Sequence, residues 1–234
     1  SNLVAGDTNN TFDVFVKDLS TGIVTRVSTD TSGTEANNQS YSASISSDGK
    51  FVAFRSYASN LVAGDTNNAD DVFVKELSTG ILTRVSTDTS GTQANNQSTS
   101  PSISSDGKFV VFQSSASNLV AGDTNNTFDV FVKDLSTGLV TRVSTDTSGT
   151  QANSASYEPS ISSDGKFVAF RSYASNLVAG DTNNADDVFV KELSTGILTR
   201  VSTDTSGTQA NSASYSPSIS SDGKFVAFQS SASN

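Results

Sequence analysis

The 234-residue sequence contains no cysteine, histidine, methionine or tryptophan, and only three prolines. The absence of cysteine excludes disulfides, zinc–thiolate sites and thiol catalysis. The absence of histidine removes the commonest general base and the commonest metal ligand of proteins. No apolar run approaches the roughly 18 residues that a membrane-spanning helix needs. The composition therefore predicts no membrane span, and it favours a binding or structural protein over an enzyme.

The charge of the chain is strongly one-sided, with a net charge of −10 and only 14 lysines and arginines. These cations are dispersed along the sequence, so a nucleic-acid backbone or an anionic membrane surface would be repelled. We expect neither as a partner. The chain starts with neither a methionine nor a signal peptide, which predicts a processed or trimmed piece of something longer.

The sequence repeats itself every 58 residues, which is typical of solenoids and propellers. The segment SNLVAGDTNN begins at Ser1, Ser59, Ser117 and Ser175, giving repeats 1–58, 59–116, 117–174 and 175–232. Residues 1–234 are therefore interpreted as one repeat domain. Copies one and three read NNTFDVFVKDL, whereas copies two and four read NNADDVFVKEL. This alternation indicates duplication of a two-unit block, and an engineered symmetric protein remains the alternative.

Each copy predicts four short β-strands, which in the first copy cover residues 13–19, 23–28, 42–46 and 50–56. Turn residues separate them, and no stretch has the 3.6-residue period of a helix. Asp48-Gly49 predicts a type I′ turn between the last two strands. The strands DVFVKDL and KFVAFRS are apolar on both faces, so each sheet should be covered by a neighbour on either side. Identical sheets stacked in this way form a propeller, with the small-residue strand SxSIS innermost.

Two motifs resemble the blades of the TolB-type (PD40, WD40-like) β-propeller family. ISSDGKFVAF, from Ile45, is similar to the S-P-D-G-K-x-I-A-F signature, and DVFVKDLSTG followed by TRVS is similar to the next segment of such a blade. The resemblance covers every copy and implies the strand order SISS, KFVAF, DVFVK, TRVS from axis to rim. Two departures are Ala43, which stands where the other copies have a proline, and a unit longer than the usual 40 to 45 residues.

On this resemblance the chain starts at the third strand of a blade and ends after the second strand of another. The predicted fold is an all-β propeller of four-stranded antiparallel blades, with the last blade made from residues 13–28 and 218–230. These halves could join within one chain or between two chains. We favour a homodimer of eight blades formed by strand exchange. A four-bladed monomer and an open or filamentous array are the alternatives.

One polar loop in each copy predicts a possible calcium site. Oxygen donors recur at its first, third and seventh positions, a pattern that suits Ca²⁺, and Asp70 and Asp186 add a carboxylate in the even copies. No glutamate provides the bidentate ligand of an EF-hand, and the alternative is a set of Asx turns without a metal. The candidate ligands are Asp7, Asn9, Asp13, Asp65, Asn67, Asp71, Asp123, Asn125, Asp129, Asp181, Asn183 and Asp187. We predict no other cofactor.

The remaining polar residues favour structural roles. We expect the aspartates of the Asp-Gly turns to be turn residues. We expect the mid-strand arginines to pair with loop carboxylates, and such pairs contribute little to stability if they are exposed. The loop tyrosines should pack on neighbouring blades or form a ligand face. No serine has a His, Cys or Lys base beside it to activate it. The turn aspartates are Asp48, Asp106, Asp164 and Asp222. The mid-strand arginines are Arg26, Arg84, Arg142 and Arg200. The loop tyrosines are Tyr41, Tyr57, Tyr157, Tyr173 and Tyr215.

The sequence therefore predicts a non-catalytic scaffold, with no catalytic residues, that binds a protein or glycan or assembles with itself. Its Asn/Ser/Thr-rich loops favour a secreted, cell-surface or periplasmic bacterial location. A hydrolase or lyase propeller is the less favoured alternative, because one reactive centre needs different residues from different blades and these copies are nearly the same. An engineered propeller without an evolved function is a further alternative.

Overall fold

The computed structural model describes residues 3–234, in which every regular element is a β-strand. Ser1 and Asn2, where the first predicted repeat begins, lie outside the described residues. None of the described residues forms a helix long and apolar enough to cross a membrane. The strands are β1 (Phe15–Lys17), β2 (Val24–Arg26), β3 (Ser40–Ile45), β4 (Phe51–Ser56), β5 (Asp71–Glu76), β6 (Leu82–Arg84), β7 (Ser98–Ile103), β8 (Phe109–Ser114), β9 (Asp129–Asp134), β10 (Val140–Arg142), β11 (Ser156–Ile161), β12 (Phe167–Ser172), β13 (Asp187–Glu192), β14 (Leu198–Arg200), β15 (Ser214–Ile219) and β16 (Val226–Ser230).

Three complete blades and two half-blades make up the fold. Blade 1 has the order β3-β4-β5-β6, blade 2 the order β7-β8-β9-β10, and blade 3 the order β11-β12-β13-β14. All pairs within these blades are antiparallel. The order of the strands in each blade confirms the predicted order from axis to rim. β1 and β2 form a separate two-stranded sheet, the N-terminal half-blade, and β15 and β16 form another, the C-terminal half-blade. Within residues 3–234 the two half-blades are not paired with each other.

The middle strands of the blades are buried on both faces. In β4, Val52, Ala53 and Phe54 are consecutive and all but inaccessible to solvent. Because successive side chains of a strand point to opposite faces, a neighbour must cover each face. One core cluster joins Ala53 of blade 1 to Phe112 of blade 2, which confirms the predicted face-to-face stacking of blades.

The innermost strand carries an irregularity that follows from its sequence. The pairing of β3 with β4 shifts register between Tyr41 and Ser44, and Ser42 has a φ of 51°. Copies two to four place a proline directly after this residue, where the shifted ladder requires no amide donor. Across the blades, the Ser44 hydroxyl accepts a hydrogen bond from the Ile103 amide at 3.4 Å. The small side chains thus allow inner strands to approach one another, as predicted.

The turn between β3 and β4 differs from the predicted type I′ geometry. Gly49 has a φ of 69°, but Asp48 is not among the residues with positive φ. The Gly49 amide donates to the Ser46 carbonyl at 2.9 Å, and the Ser46 amide donates to the Phe51 carbonyl at 2.9 Å. The result is a four-residue loop built on a type I turn. Asp48 favours this turn because its carboxylate accepts bonds from the Ser46 hydroxyl and the Lys50 amide.

Candidate functional site

The predicted loop residues converge on a buried arginine in each copy. In the second copy, Asp65 and Asp71 lie on either side of Arg84, whose side chain is only 8% exposed. Its Nε is 3.7 Å from Asp71 and its Nη2 is 3.9 Å from Asp65. The structure therefore brings the predicted arginine and loop carboxylates together, and the ion pair is buried. Burial makes the remaining hydrogen bonds decisive, since a desolvated charge needs partners.

A glutamine that sequence reasoning missed completes this cluster. Gln93 Nε2 donates to Asp65 at 2.9 Å and to Asp71 at 2.8 Å. The second oxygen of Asp71 accepts from the Ser86 hydroxyl at 2.5 Å. Burial nevertheless raises the pKa of Asp71 above its ordinary value, and it does the same for Asp129 in the next copy. The only sequence signal for Gln93 was its constant spacing from the loop.

The asparagines of the predicted metal loops are engaged with the backbone. Asn67 Oδ1 accepts from the Ala69 amide at 3.0 Å, and its Nδ2 donates to the Ala94 carbonyl at 2.9 Å. Asn9, Asn125 and Asn183 make the corresponding bonds. These are the Asx turns that formed the alternative to calcium.

The first copy differs because Glu35 stands where the other copies have glutamine. Carboxylate oxygens of Asp7, Asp13 and Glu35 lie within 4.8 Å of one another. Arg26 Nη1 contacts Glu35 Oε1 at 2.5 Å, and the Thr8 hydroxyl donates to Glu35 Oε2 at 2.6 Å. In the other copies a glutamine N–H group bridges the two carboxylates. The calcium prediction therefore stays a prediction, and the first copy has the donor set that suits it best.

The extra aspartates of the even copies belong to these loops, but their carboxylates face a different arginine, which is Arg55 for Asp70 and Arg171 for Asp186. Asp186 faces Arg171, with Oδ1 3.3 Å from Nη1, and Glu158 contacts the same guanidinium at 3.2 Å. Burial raises the pKa of Asp186 and of Asp70. The Arg171 guanidinium also lies 4.9 Å from the ring centre of Tyr157 and 5.3 Å from that of Tyr215.

The tyrosines divide into two groups. Tyr157 and Tyr215 pack between neighbouring blades through Arg171, and Tyr41 packs on Phe12 at 5.5 Å between ring centres. Tyr57 and Tyr173 are 41% and 51% exposed. Packing between blades thus accounts for three of the five residues.

A buried lysine joins each complete blade to the one before it. Lys75 in β5 is 6% exposed, and its Nζ donates to the Thr29 carbonyl, the Thr29 hydroxyl and the Asp30 carbonyl at 2.8–3.1 Å. Lys133 and Lys191 make the same three bonds to the preceding copy. Burial lowers the pKa of Lys75. The sequence signal that could have identified Lys75 as buried is the alternation of the strand, which places it on the same face as Phe73.

Comparison with known proteins supports the fold. No protein-family model matches the sequence, and no curated protein does. Among solved structures, TolB from Acinetobacter baumannii is 20% identical with a TM-score of 0.56, covering 95% of this chain and 44% of that one. A putative TolB from Agrobacterium tumefaciens is 17% identical with a TM-score of 0.55, covering 93% and 65%.

An oligogalacturonate lyase in complex with manganese is 14% identical with a TM-score of 0.51, covering 81% of this chain and 47% of the lyase. This chain thus spans less than two thirds of the length of each of these proteins. Identities this low carry the fold and not an activity. Together with the blade topology and the two sequence motifs, these likenesses show that the chain has the β-propeller fold of TolB-type proteins.

Proposed function

We propose that the chain is a non-catalytic propeller scaffold that assembles with copies of itself. The C-terminal half-blade of one copy is completed by the N-terminal half-blade of another. The observation that carries this proposal is that the two half-blades are complementary. The C-terminal one consists of the two inner strands of a blade, and the N-terminal one consists of the two outer strands.

The apolar side chains of the C-terminal half-blade are left uncovered. Phe228 is 37% exposed and Phe225 is 72% exposed, whereas Phe54, which corresponds to Phe228 in blade 1, is fully buried. An edge strand with unpaired backbone groups and apolar side chains readily pairs with another strand. A second copy offers β1, which has the sequence of the strand that covers this position in every complete blade.

The complete blades fix the register that this junction would have. In blade 1, Ala53 pairs with Val74 and Phe54 with Phe73. The corresponding pairs between two copies are Ala227 with Val16 and Phe228 with Phe15. The aromatic pairs of the complete blades have ring centres 5.8–5.9 Å apart, and the same contact would form across the junction.

The lysine contact between blades would also be repeated at the junction. Lys17 of the N-terminal half-blade corresponds to Lys75 and has no preceding blade within the described chain. Thr203 and Asp204 correspond to its acceptors Thr29 and Asp30. Completion by a second copy would bring Lys17 of one chain beside Thr203 and Asp204 of the other. The blade and its lysine hydrogen bonds would then form together.

The absence of a catalytic role is supported by the repetition of the polar clusters. Within residues 3–234 the Asp–Arg–Gln cluster recurs in three copies with the same glutamine bonds, whereas a reactive centre needs a unique arrangement of acid, base and nucleophile. A repeated surface suits a protein or glycan partner, and the proposed location is outside the bacterial cytoplasm or at the cell surface.

The molar mass of the chain in solution is the first test. A closed ring of two chains predicts twice the 24.2 kDa of one chain, independent of concentration. An open filament predicts a mass that grows with concentration. A single-chain mass at every concentration, for a chain with an intact melting transition, would contradict self-assembly.

Cysteine cross-linking tests the register, because the chain has no cysteine of its own. We mix Val16→Cys chains with Ala227→Cys chains and oxidise them, expecting a covalent heterodimer in high yield. The matched control replaces Val16→Cys by Thr25→Cys, because Thr25 lies opposite Val16 but one strand further from the junction. Equal yields from the two mixtures would mean that the proposed pairing is wrong, even if a dimer exists.

A further inference from the structure

The chain departs from its repeat at a residue beside the C-terminal half-blade. Glu158 lies in β11, and the corresponding residues of the other copies are all serines: Ser42, Ser100 and Ser216. All four residues have a φ between 51° and 55°, so the backbone is the same and only the side chain differs. A side chain that changes in one copy, on an unaltered backbone, points to a contact that is made only there.

The Glu158 carboxylate joins blade 3 to the C-terminal half-blade. Its Oε2 accepts a hydrogen bond from the Ser216 amide at 2.8 Å and lies 3.2 Å from Nε of Arg171 in blade 3. Asp186 Oδ1 lies 3.3 Å from Nη1, on the other side of the same guanidinium. This guanidinium is 5.3 Å from the ring centre of Tyr215 in the half-blade, which is within the range of a cation–π contact. Glu158 therefore supports two contacts between the sheets.

An arginine in blade 3 explains why an added acceptor is needed at this contact. Between blades 2 and 3 the corresponding amide, that of Glu158, donates to Gln113 Oε1 at 2.8 Å. Gln113 lies in β8, and Arg171 occupies its place in β12. A guanidinium has only donors, so it cannot accept the next amide as a glutamine does. The Glu158 carboxylate supplies the acceptor that the arginine lacks.

The contact between blades 1 and 2 has the arginine without the glutamate. Arg55 occupies the place of Arg171, with Ser42 in the inner strand of the same blade and Thr99 in the next blade. Neither residue offers a carboxylate or a second aromatic ring. Blade 2 is instead a complete four-stranded sheet with apolar core clusters on both sides. The added contacts therefore occur where the next sheet has only two strands.

A half-blade gains more from such contacts than a complete blade does. The strands β15 and β16 lack two outer partners, and the side chains of Phe225 and Phe228 are exposed. A segment that is ordered only on binding pays the cost of ordering at that moment, whereas a segment that is already ordered does not. A half-blade held on blade 3 is therefore ready to pair with β1 of another chain.

We propose that Glu158 is a positioning residue that holds the C-terminal half-blade on blade 3 in the free chain, and so presents its open edge to a second copy. Glu158 acts through the Ser216 amide and the Arg171 guanidinium. The holding role concerns one chain only. The presenting role rests on the self-assembly proposed above.

Hydrogen–deuterium exchange of the single chain tests the holding role. All chains compared carry Val16→Asp, which puts a charge into β1 and so blocks the proposed junction at the other end of the chain. Glu158→Ser is expected to speed exchange of the amides in residues 214–230 about fivefold, the usual effect of losing one hydrogen bond, and to leave blade 1 unchanged. Glu158→Gln keeps an acceptor for Ser216 but loses the charge, so it should restore part of the protection.

Ser42→Glu is the matched control for this measurement. It adds the same carboxylate beside Arg55, in blade 1, and should leave the exchange of residues 214–230 unchanged. The holding role would be overturned by unchanged exchange of these residues in Glu158→Ser, in a variant whose melting transition shows that it folds. An acceleration spread equally over all blades would overturn it as well, because it would report a general loss of stability.

The rate of assembly tests the presenting role. In chains with Val16 intact, Glu158→Ser is expected to slow assembly about fivefold, measured by light scattering after a jump in protein concentration. Faster exchange of residues 214–230 together with an unchanged assembly rate would overturn the presenting role. If the unmodified chain stays single at every concentration, self-assembly and the presenting role are both wrong, and the exchange measurement alone decides the holding role.

Discussion

The complete blades and the terminal half-blades contain the same sequence but differ in burial. Phe112 in blade 2 is fully buried, and Phe228, which occupies the same place in the C-terminal half-blade, is 37% exposed. Val110 is likewise buried, whereas Val226 is only partly covered. The residues are the same, so the difference in burial comes from the neighbouring sheets. It shows that one copy of this repeat cannot bury its own apolar side chains, so that stability depends on the next sheet.

Replacing the core phenylalanine should separate the two regions most clearly. Phe112→Ala removes a ring enclosed by blades 1 and 2, and such cavities cost about 3–5 kcal/mol in the free energy of unfolding. Phe228→Ala should cost less than half as much in dilute, single-chain protein, because its ring is already exposed to water. Urea unfolding at low and high protein concentration measures both. If assembly covers Phe228, the loss in unfolding free energy caused by Phe228→Ala should approach that caused by Phe112→Ala at high protein concentration.

Two turn glycines provide a smaller, matched contrast. An alanine Cβ at Gly107 would lie 2.2 Å from the ring of Phe51 in the adjacent blade, whereas at Gly49 nothing lies within 4 Å. Both glycines have positive φ, so both substitutions cost about 1–2 kcal/mol for the left-handed backbone. Gly107→Ala should cost about 1–3 kcal/mol more because of the clash. Thermal unfolding of dilute, single-chain protein measures the difference, and equal losses under that condition would mean that the Phe51 contact is not maintained.

Gly49 also links this contrast to self-assembly. In a completed junction, Phe225 of one chain would lie over Gly49 of the other, as Phe51 lies over Gly107. Gly49→Ala is therefore expected to reduce the molar mass of the assembly while changing single-chain stability little beyond the backbone cost. An unchanged assembly would contradict this arrangement of the junction.

The smallest effect concerns the pH dependence of two corresponding turns. The Ser20 hydroxyl holds the pKa of Asp18 at about 2 in the N-terminal half-blade, and the Ser136 hydroxyl lowers the pKa of Asp134 in blade 2. A lowered pKa in the folded state stabilises the fold above the ordinary value of about 3.9, and this contribution is lost as the pH falls towards 2. Carboxyl NMR titration should show both groups titrating below the ordinary aspartate pKa. An ordinary pKa at Asp18 alone would mean that the half-blade turn requires a neighbouring copy.

Much of the fold could be predicted from the sequence because its information is local and repeated. The strand DVFVKDL is apolar on both faces, which requires cover on both sides, and the confirmed stacking of the blades followed from this. The turn at Asp48 was placed correctly, but its type was wrong. An Asp-Gly pair fits both a two-residue and a four-residue loop, and only the pairing of Ser46 with Phe51 selects between them.

The sequence by itself determined the repeat, the all-β class and the lack of histidine and cysteine chemistry, because each depends on residue type and on spacing within one copy. The strand order was implied by the resemblance of its motifs to TolB-type blades. Tertiary structure alone decided the partners of Lys75, the place of Gln93 between two aspartates and the difference that Glu35 makes beside Arg26. These contacts join residues 9 to 46 positions apart. No local pattern encodes them, since they depend on the distance and angle at which one sheet packs on the next.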